Sequence, residues 1–504
     1  MRGLLVAGTA SDAGKSVVVA GLCRWLARRG IKVAPFKAQN MALNSAVTPD
    51  GAEIGRAQVA QAAAANVAPE AAMNPILLKP GGERTSQVVV MGRVMAELDA
   101  RSYQDLKPRL RTVVLDAVAS LADRFEVVVC EGAGSPAEIN LRAGDLVNMG
   151  LARAVGLPVV VVGDIDRGGV FASLFGTLAL LEQADQALIA GFLVNKFRGD
   201  PALLAPGLDQ FGQLTGRPVL GVLPWRHGLR LDAEDSVDLE TSPEGSAQPL
   251  GADPLQVAVV RLRWLSNFTD LDPLVAEPGV TVRFTTSPSD VLGSDLAVVP
   301  GTKATVTDLA WLQRMGLDRA LAERAARGLP TLGICGGYQL LGERIVDRVE
   351  SDAGEVAGLG LLPVETVFQA PKVLGSPVGT APWLGGVPAF GYEIHHGRTR
   401  VLGGDTVLDS GDGDPGCRSG AVVGVAWHGI LESDAFRRAF LGWVAVERGL
   451  DWVAGDRPFA AVREERLDAL GDLIADHTDT AAFDRLLDRG APPGLPFVPP
   501  GRPP

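Results

Sequence analysis

The feature that most limits how this chain can fold is its start. The apolar run Leu4–Ala7 passes into "GTASDAGKS" (8–16), and a helical stretch, Lys15–Arg29, follows and stops at Gly30. A short buried strand, a glycine-bearing turn and a helix opening on Gly-Lys-Ser form one half of a parallel βαβ unit. The same rhythm recurs. Apolar runs at Lys32–Pro35, Val127–Cys130, Pro158–Val162, Ile189–Val194 and Val219–Val222 alternate with helix-like segments. Strands alternating with helices predict a doubly wound α/β domain. A second series, Leu255–Val260, Val280–Thr285, Asp295–Val299, Pro330–Ile334 and Ala421–Ala426, predicts another.

Between the two series the rhythm breaks. "AEDSVDLETSPEGSAQPLGAD" (233–253) is acidic and rich in Ser, Gly and Pro, a linker composition. The expected organisation is a first domain over 1–235, a linker over 236–253, a second domain over 254–487 and a tail over 488–504. The last 14 residues carry seven prolines, which predicts disorder. With 504 residues, two or three domains are the natural division.

The opening turn is a phosphate-loop candidate with a defect. The usual pattern places glycine six residues before the lysine. Thr9 occupies that place, and Gly8 is one residue early. The setting still suits an anion, because backbone N–H groups at a helix N-terminus accept phosphate and glycine lets the backbone approach. Thr9, Ser11, Asp12, Ala13, Gly14, Lys15 and Ser16 are the candidate ATP-binding residues. Lys15 would reach the β/γ-phosphates and Ser16 would ligate Mg²⁺. Glu131, at the end of the strand Val127–Cys130, is the second candidate metal ligand. Acids at strand C-termini face the crevice where such sheets bind ligands. "GDIDRGGVFAS" (163–173) and "NKFRGD" (195–200) bring Asp164, Asp166, Arg167, Lys196 and Arg198 to the same edge.

The second half offers a nucleophile. "LPTLGICGGYQLL" (329–341) sets Cys335 between glycines, at a strand-to-helix junction. That is the layout of a nucleophile elbow with cysteine in place of serine. A helix N-terminus there would lower the thiol pKa, whereas Cys23 and Cys130 read as buried structural cysteines. Gly301, after Asp295–Val299, and Gly336 are the candidate oxyanion-hole donors. His428, just past Ala421–Ala426, is the candidate base. His395 and His396, in a loop-like "GYEIHHGRT", are candidate substrate contacts. His227 and His477 read as surface residues.

Composition removes other function classes. A net charge of −12 argues against a nucleic-acid partner. No apolar stretch is long enough to span a bilayer, and the N-terminus has no signal-peptide layout. The four cysteines form no CxxC pair, which suits a reducing cytoplasm. The oligomeric state is left open.

Taken in order, these motifs resemble the cobyric acid synthases, the glutamine-dependent amidases of cobalamin biosynthesis. Beyond the stretches above, the resemblance rests on "PFKAQNMALNS" (35–45), "EIGRAQ" (53–58), "MNPILLKP" (73–80), "EGAGSPAEINL" (131–141) and "NMGLA" (148–152). It implies a dethiobiotin-synthetase-like first domain, whose phosphate loop carries the extra residue. It implies a class I glutamine amidotransferase second domain, with Cys335 as nucleophile and His428 as base. It implies ATP, Mg²⁺ and glutamine as reactants, a corrinoid as substrate, and Asp145 at the acceptor site. Typical class I members have His-x-Glu, but position 430 is Ile430 and the next acid is Glu432. The third member of the triad therefore stays open. A cobyrinic acid a,c-diamide synthase is the nearest alternative. A partition-type ATPase would need a lysine where Ala10 stands.

Overall fold

The computed structural model describes residues 1–81, 85–226, 229 and 248–500. His227 and most of the expected linker lie outside the described residues. The first domain is built on a six-stranded sheet of parallel strands. Its order is Val219–Pro224, Ile189–Phe197, Val159–Asp164, Gly3–Gly8, Val127–Glu131 and Val33–Phe36. The order reverses beside Gly3–Gly8, so the loop after that strand opens at the crevice where doubly wound sheets bind ligands. Strand Gly3–Gly8 is buried along its whole length, as expected of a strand covered by helices on both faces.

The second domain has its own six-stranded sheet, ordered Val280–Thr285, Leu255–Val260, Leu296–Val299, Thr331–Ile334, Val422–Val425 and Cys417–Ser419. All its pairings are parallel except the last. Every strand expected from the apolar runs is present in one of these two sheets. Helix Lys15–Arg28 ends where expected, with Gly30 in the left-handed region at φ 79°.

Two antiparallel-rich sheets were not expected. One, Gln39–Met41, Ile76–Pro80, Thr85–Val90 and Arg93–Asp99, is an excursion of the first domain between its second and third core strands. The other, Gly354–Ala357, Arg344–Asp347, Val364–Gly375 and Glu393–Val401, belongs to the second domain. They meet across the domain seam. Lys372 donates to Glu53 (2.7 Å) and to Gln87 (3.3 Å), and Gln87 touches His396 at 3.3 Å. His395 and His396 lie on a strand, not in a loop.

The chain's C-terminal part also departs from expectation. Helices Phe459–His477 and Thr480–Arg489 return to the first domain. Leu467, Leu470, Leu473, Ile474 and Phe483 share one buried cluster with Leu4, Val6, Val18 and Leu22. Arg24 binds Asp468 (2.8 Å) and Glu464 (2.7 Å) on the returning helix. The expected second domain, 254–487, therefore includes helices that pack on the first. The proline-rich segment is docked at least as far as Val498. Val498 is buried and exchanges hydrogen bonds with the Gln186 side chain, and Arg217 donates to the Pro496 carbonyl. Prolines cannot donate, but their carbonyls still accept, so composition alone misread this stretch as disordered.

Candidate active site: a phosphate loop and a cysteine–histidine pair

The opening turn is held tightly. The Thr9 N–H donates to Val162 O across the sheet (2.9 Å). Asp12 and Gly14 have φ 58° and 95°. At Gly14 a Cβ would lie 1.9 Å from Asn195 Nδ2, which donates to Ala13 O at 3.0 Å. Glycine is therefore required both by conformation and by space. Lys15 is buried and its ammonium donates to Ala10 O (2.9 Å) and Gly134 O (3.3 Å).

Beneath the loop, the Ser16 hydroxyl donates to Glu131 Oε1 at 2.9 Å. Glu131 is fully buried. Its other partners are Lys37 (2.9 Å) and Gln61 (2.5 Å). Burial alone would raise this carboxyl, but the Lys37 charge and hydrogen bond, with Gln61 and Lys15, hold it below its ordinary range.

A cavity of ≈ 1250 Å³ opens over the loop, lined by Ser11, Asp12, Gly14, Lys15 and Ser16 on one side. Thr9 and Ala13 do not line it; they tie the loop to the sheet through Val162 O and the Asn195 side chain. Asp145 lines the cavity, but both its oxygens accept backbone N–H groups, of Val147 and Asn148 at 2.9 Å and of Gly150 at 2.8 Å. The charged residues at the sheet edge pair with one another, Lys196 with Asp164 (2.9 Å) and Arg198 with Asp166 (3.0 Å). Arg198 lies over the Trp225 ring, 4.1 Å from its centroid. The far wall comes from the second domain through Arg263, Trp264, Leu265 and Phe268.

Cys335 stands between strand Thr331–Ile334 and helix Gly336–Leu341 with φ 49° and ψ −109°. A non-glycine residue there is strained, and strain of this kind gathers at reactive sites. The flanking glycines make the turn feasible. A Cβ on Gly337 would lie 1.8 Å from Val299 O, and one on Gly336 would lie 2.8 Å from Thr302 N. Gly301 sits against the histidine, where a Cβ would come within 2.8 Å of His428 Cε1. The Gly336 N–H belongs to the first helical turn, where donors lack intrahelical partners.

Cys335 and His428 interact electrostatically. Burial would raise the thiol, yet the His428 charge holds it below its ordinary value. His428 is almost fully buried, stacks on Tyr392 and binds Asp270 Oδ2 through Nδ1 at 2.6 Å. Burial would lower the imidazole, but the charges of Asp270 and Cys335 push it up to about 10. Asp270 Oδ1 accepts the Gly429 N–H at 2.8 Å, so both carboxylate oxygens are fixed. This is the geometry of a nucleophile, a base and an orienting acid.

Sequence reading missed that acid. Asp270 lies on the 3-10 turn Phe268–Leu271, far from His428 in the chain. Its one available signal was a carboxylate beyond the C-terminal end of Leu255–Val260. Glu432, the nearest acid after His428 in sequence, instead bridges Arg56 (2.5 Å) and Arg463 (2.9 Å). Lys37 and Asn195 were also missed as individual residues, although both fall in stretches singled out above. His395 is buried and bonded to Gly397 O (2.7 Å) and Glu393 (3.3 Å).

Comparison with known proteins bears on the whole chain. Residues 4–238 match the CobQ/CobB/MinD/ParA nucleotide binding domain, and 256–436 match the CobB/CobQ-like glutamine amidotransferase domain. The cobyric acid synthase of Frankia casuarinae is 60% identical over 525 residues, covering 99% of both chains. That of Streptomyces coelicolor is 60% identical over 509 residues, again covering 99% of both. The chain belongs to the cobyric acid synthase family. As a family member it is a glutamine-dependent amidoligase of cobalamin biosynthesis, with a nucleotide-binding half and a glutamine amidotransferase half. Among the described residues, no helix is long and apolar enough to cross a membrane.

Proposed function

We propose that this chain converts adenosylcobyrinic acid a,c-diamide into adenosylcobyric acid. It amidates the b, d, e and g carboxylates, and each amidation consumes one ATP and one glutamine. The observation that carries the reading is the shared cavity. The phosphate loop forms one wall, and Trp264 and Phe268, from the amidotransferase half, form another.

A carboxylate is a poor electrophile because oxide would have to leave. In the proposed mechanism its oxygen attacks the γ-phosphorus of ATP and ADP departs, giving an acyl phosphate. Ammonia then attacks the acyl carbon and inorganic phosphate leaves. Lys15, Gly14 and the loop N–H groups hold the phosphates in line. Ser16 and Glu131 would hold Mg²⁺. A hydroxyl and a carboxylate are the hard oxygen donors this ion takes, with phosphate oxygens and water completing its shell. Ser16 and Glu131 supply two donors side by side, which fits an ion whose remaining ligands come from the nucleotide and water. When bound, the metal neutralises phosphate charge.

At the other site, the Cys335 thiolate attacks the side-chain amide of glutamine. His428, oriented by Asp270, gives its proton to the departing ammonia. Gly301 and Gly336 N–H groups steady the oxyanion. Water then attacks the γ-glutamyl thioester and releases glutamate. A role for Asp145 would run through the backbone turn 147–150 that it holds in place beside the cavity.

The test is substitution of the donor. Cys335→Ala should lose glutamine-driven amidation and keep amidation with added ammonium. Loss of both activities would overturn this division of labour.

A further inference from the structure

The orienting acid of one site is tied to the wall of the other by a short relay. Asp270 sits on the turn Phe268–Leu271, and its N–H donates to the Asn267 carbonyl at 3.0 Å. Asn267 itself is left-handed, with φ 52° and ψ 38°. Its side-chain oxygen accepts the backbone N–H of Ser45 at 2.8 Å, across 222 positions and across the domain seam. Both residues are buried, Ser45 at 0% and Asn267 at 3% exposure. Ser45 directly follows Gln39–Asn44, all of which line the cavity, and so does Phe268, next to Asn267.

We infer that Asn267 is a positioning residue that couples occupancy of the cavity to glutamine hydrolysis. A ligand in the cavity bears on segment 39–44 and so on the adjoining Ser45, whose N–H holds Asn267. Pinned Asn267 sets the turn that carries Asp270, and Asp270 sets His428 against Cys335. A left-handed residue at the hinge suits such a device. Asparagine tolerates that conformation better than other non-glycine residues but still pays a penalty, so the turn has alternatives close in energy. Coupling between two sites is commonly worth about five- to 150-fold. It would prevent ammonia release when no acyl phosphate awaits it. The inference rests on the glutaminase reading given above.

The experiment measures glutamate released and amide formed by the full-length chain, with and without ATP, Mg²⁺ and the a,c-diamide. Wild type should hydrolyse glutamine faster with the cavity filled. Asn267→Gly keeps the left-handed backbone and deletes the acceptor. Its stimulation should fall by at least about fivefold, and glutamate released per amide formed should rise. Amidation from added ammonium reports that the variant is folded. Asn267→Asp keeps the acceptor and should retain stimulation. The coupling is overturned if Asn267→Gly is stimulated as strongly as wild type. It is also overturned if its stimulated and unstimulated rates fall in proportion, or if Asn267→Asp behaves like the glycine variant. Wild-type hydrolysis that ignores the cavity ligands overturns the coupling and leaves the glutaminase reading intact. Absence of any Cys335-dependent hydrolysis overturns both.

Discussion

Replacing Asp270 by asparagine keeps the shape of the glutaminase site and removes one charge. In the wild type, Asp270 and Cys335 together carry His428 from near 6.5 to about 10 against the opposing effect of burial. At about 1.4 kcal/mol per pH unit, that is a preference of about 5 kcal/mol for the imidazolium. Asparagine can still accept from Gly429 N–H, but its NH₂ would then face His428 Nδ1. That contact forces the proton onto Nε2, towards the sulfur, and the ring cannot act as base. An equivalent tautomer error in a serine triad costs on the order of 10⁴ in rate. We expect Asp270→Asn to lower glutamine hydrolysis by about 10³- to 10⁴-fold, with ammonium-driven amidation unchanged. The pH profile should move as well. His428 has a raised pKa, so its protonated form, and the activity needing it, persist to about pH 10 in the wild type and are lost above it. With the charge gone, that alkaline limb should shift to lower pH. The assay is glutamate release against pH for wild type, Asp270→Asn and Glu432→Gln. If Asp270→Asn keeps more than about a tenth of the wild-type rate while Glu432→Gln abolishes it, the assignment of the orienting acid is wrong.

Three further outcomes follow from the geometry. Gly14→Ala places a Cβ 1.9 Å from Asn195 Nδ2 at φ 95°. With about 1–2 kcal/mol of backbone strain, it should weaken ATP binding at least about tenfold by calorimetry and reduce amidation from either nitrogen source. Glu53→Gln leaves the buried ammoniums of Lys79 and Lys372, each 2.7 Å from the carboxylate, without their counter-charge. The cost should be about 3–5 kcal/mol, read as a lower melting temperature. Burial already holds Lys372 down at about 8, against the pull of Glu53. The Glu53 carboxyl is held below its ordinary range by Lys372 and Lys79, despite burial that would raise it. Its share of stability is therefore present above about pH 4.3 and is lost as pH falls through its lowered value; a stability–pH curve of Glu53→Gln lacking that difference from wild type would contradict this. Lys15→Ala should abolish amidation from both glutamine and ammonium and leave Cys335-dependent hydrolysis measurable in glutamate release.

Both central sheets were legible in the sequence because their strands are covered on both faces and read as unbroken apolar runs, such as Val127–Cys130. Cys335 and His428 were legible as candidates because each stands just past a strand beside glycine, and Lys15 because it opens a helix beside Gly14. The seam sheets were not. Val364–Gly375 mixes buried and exposed positions with no clean alternation, and its partners are distant in sequence. Helix Phe459–His477 carries no local mark of the domain it packs against. Its apolar face fits helix Lys15–Arg28 after a return across the chain. Asp270 escaped because its link to His428 spans 158 positions and follows no fixed spacing. Val498 escaped because composition counts prolines and does not register the side chain of Gln186.

If one chain turns glutamine nitrogen into corrinoid amide at the expense of ATP, a nitrogen label follows that path. The most direct measurement incubates the chain with the a,c-diamide, ATP, Mg²⁺ and glutamine labelled with ¹⁵N in its side-chain amide, and weighs the corrinoid by mass spectrometry. Labelled amide should be added at the b, d, e and g carboxylates, with no addition when ATP is omitted. An unchanged corrinoid mass, or amidation that proceeds without ATP, would contradict it.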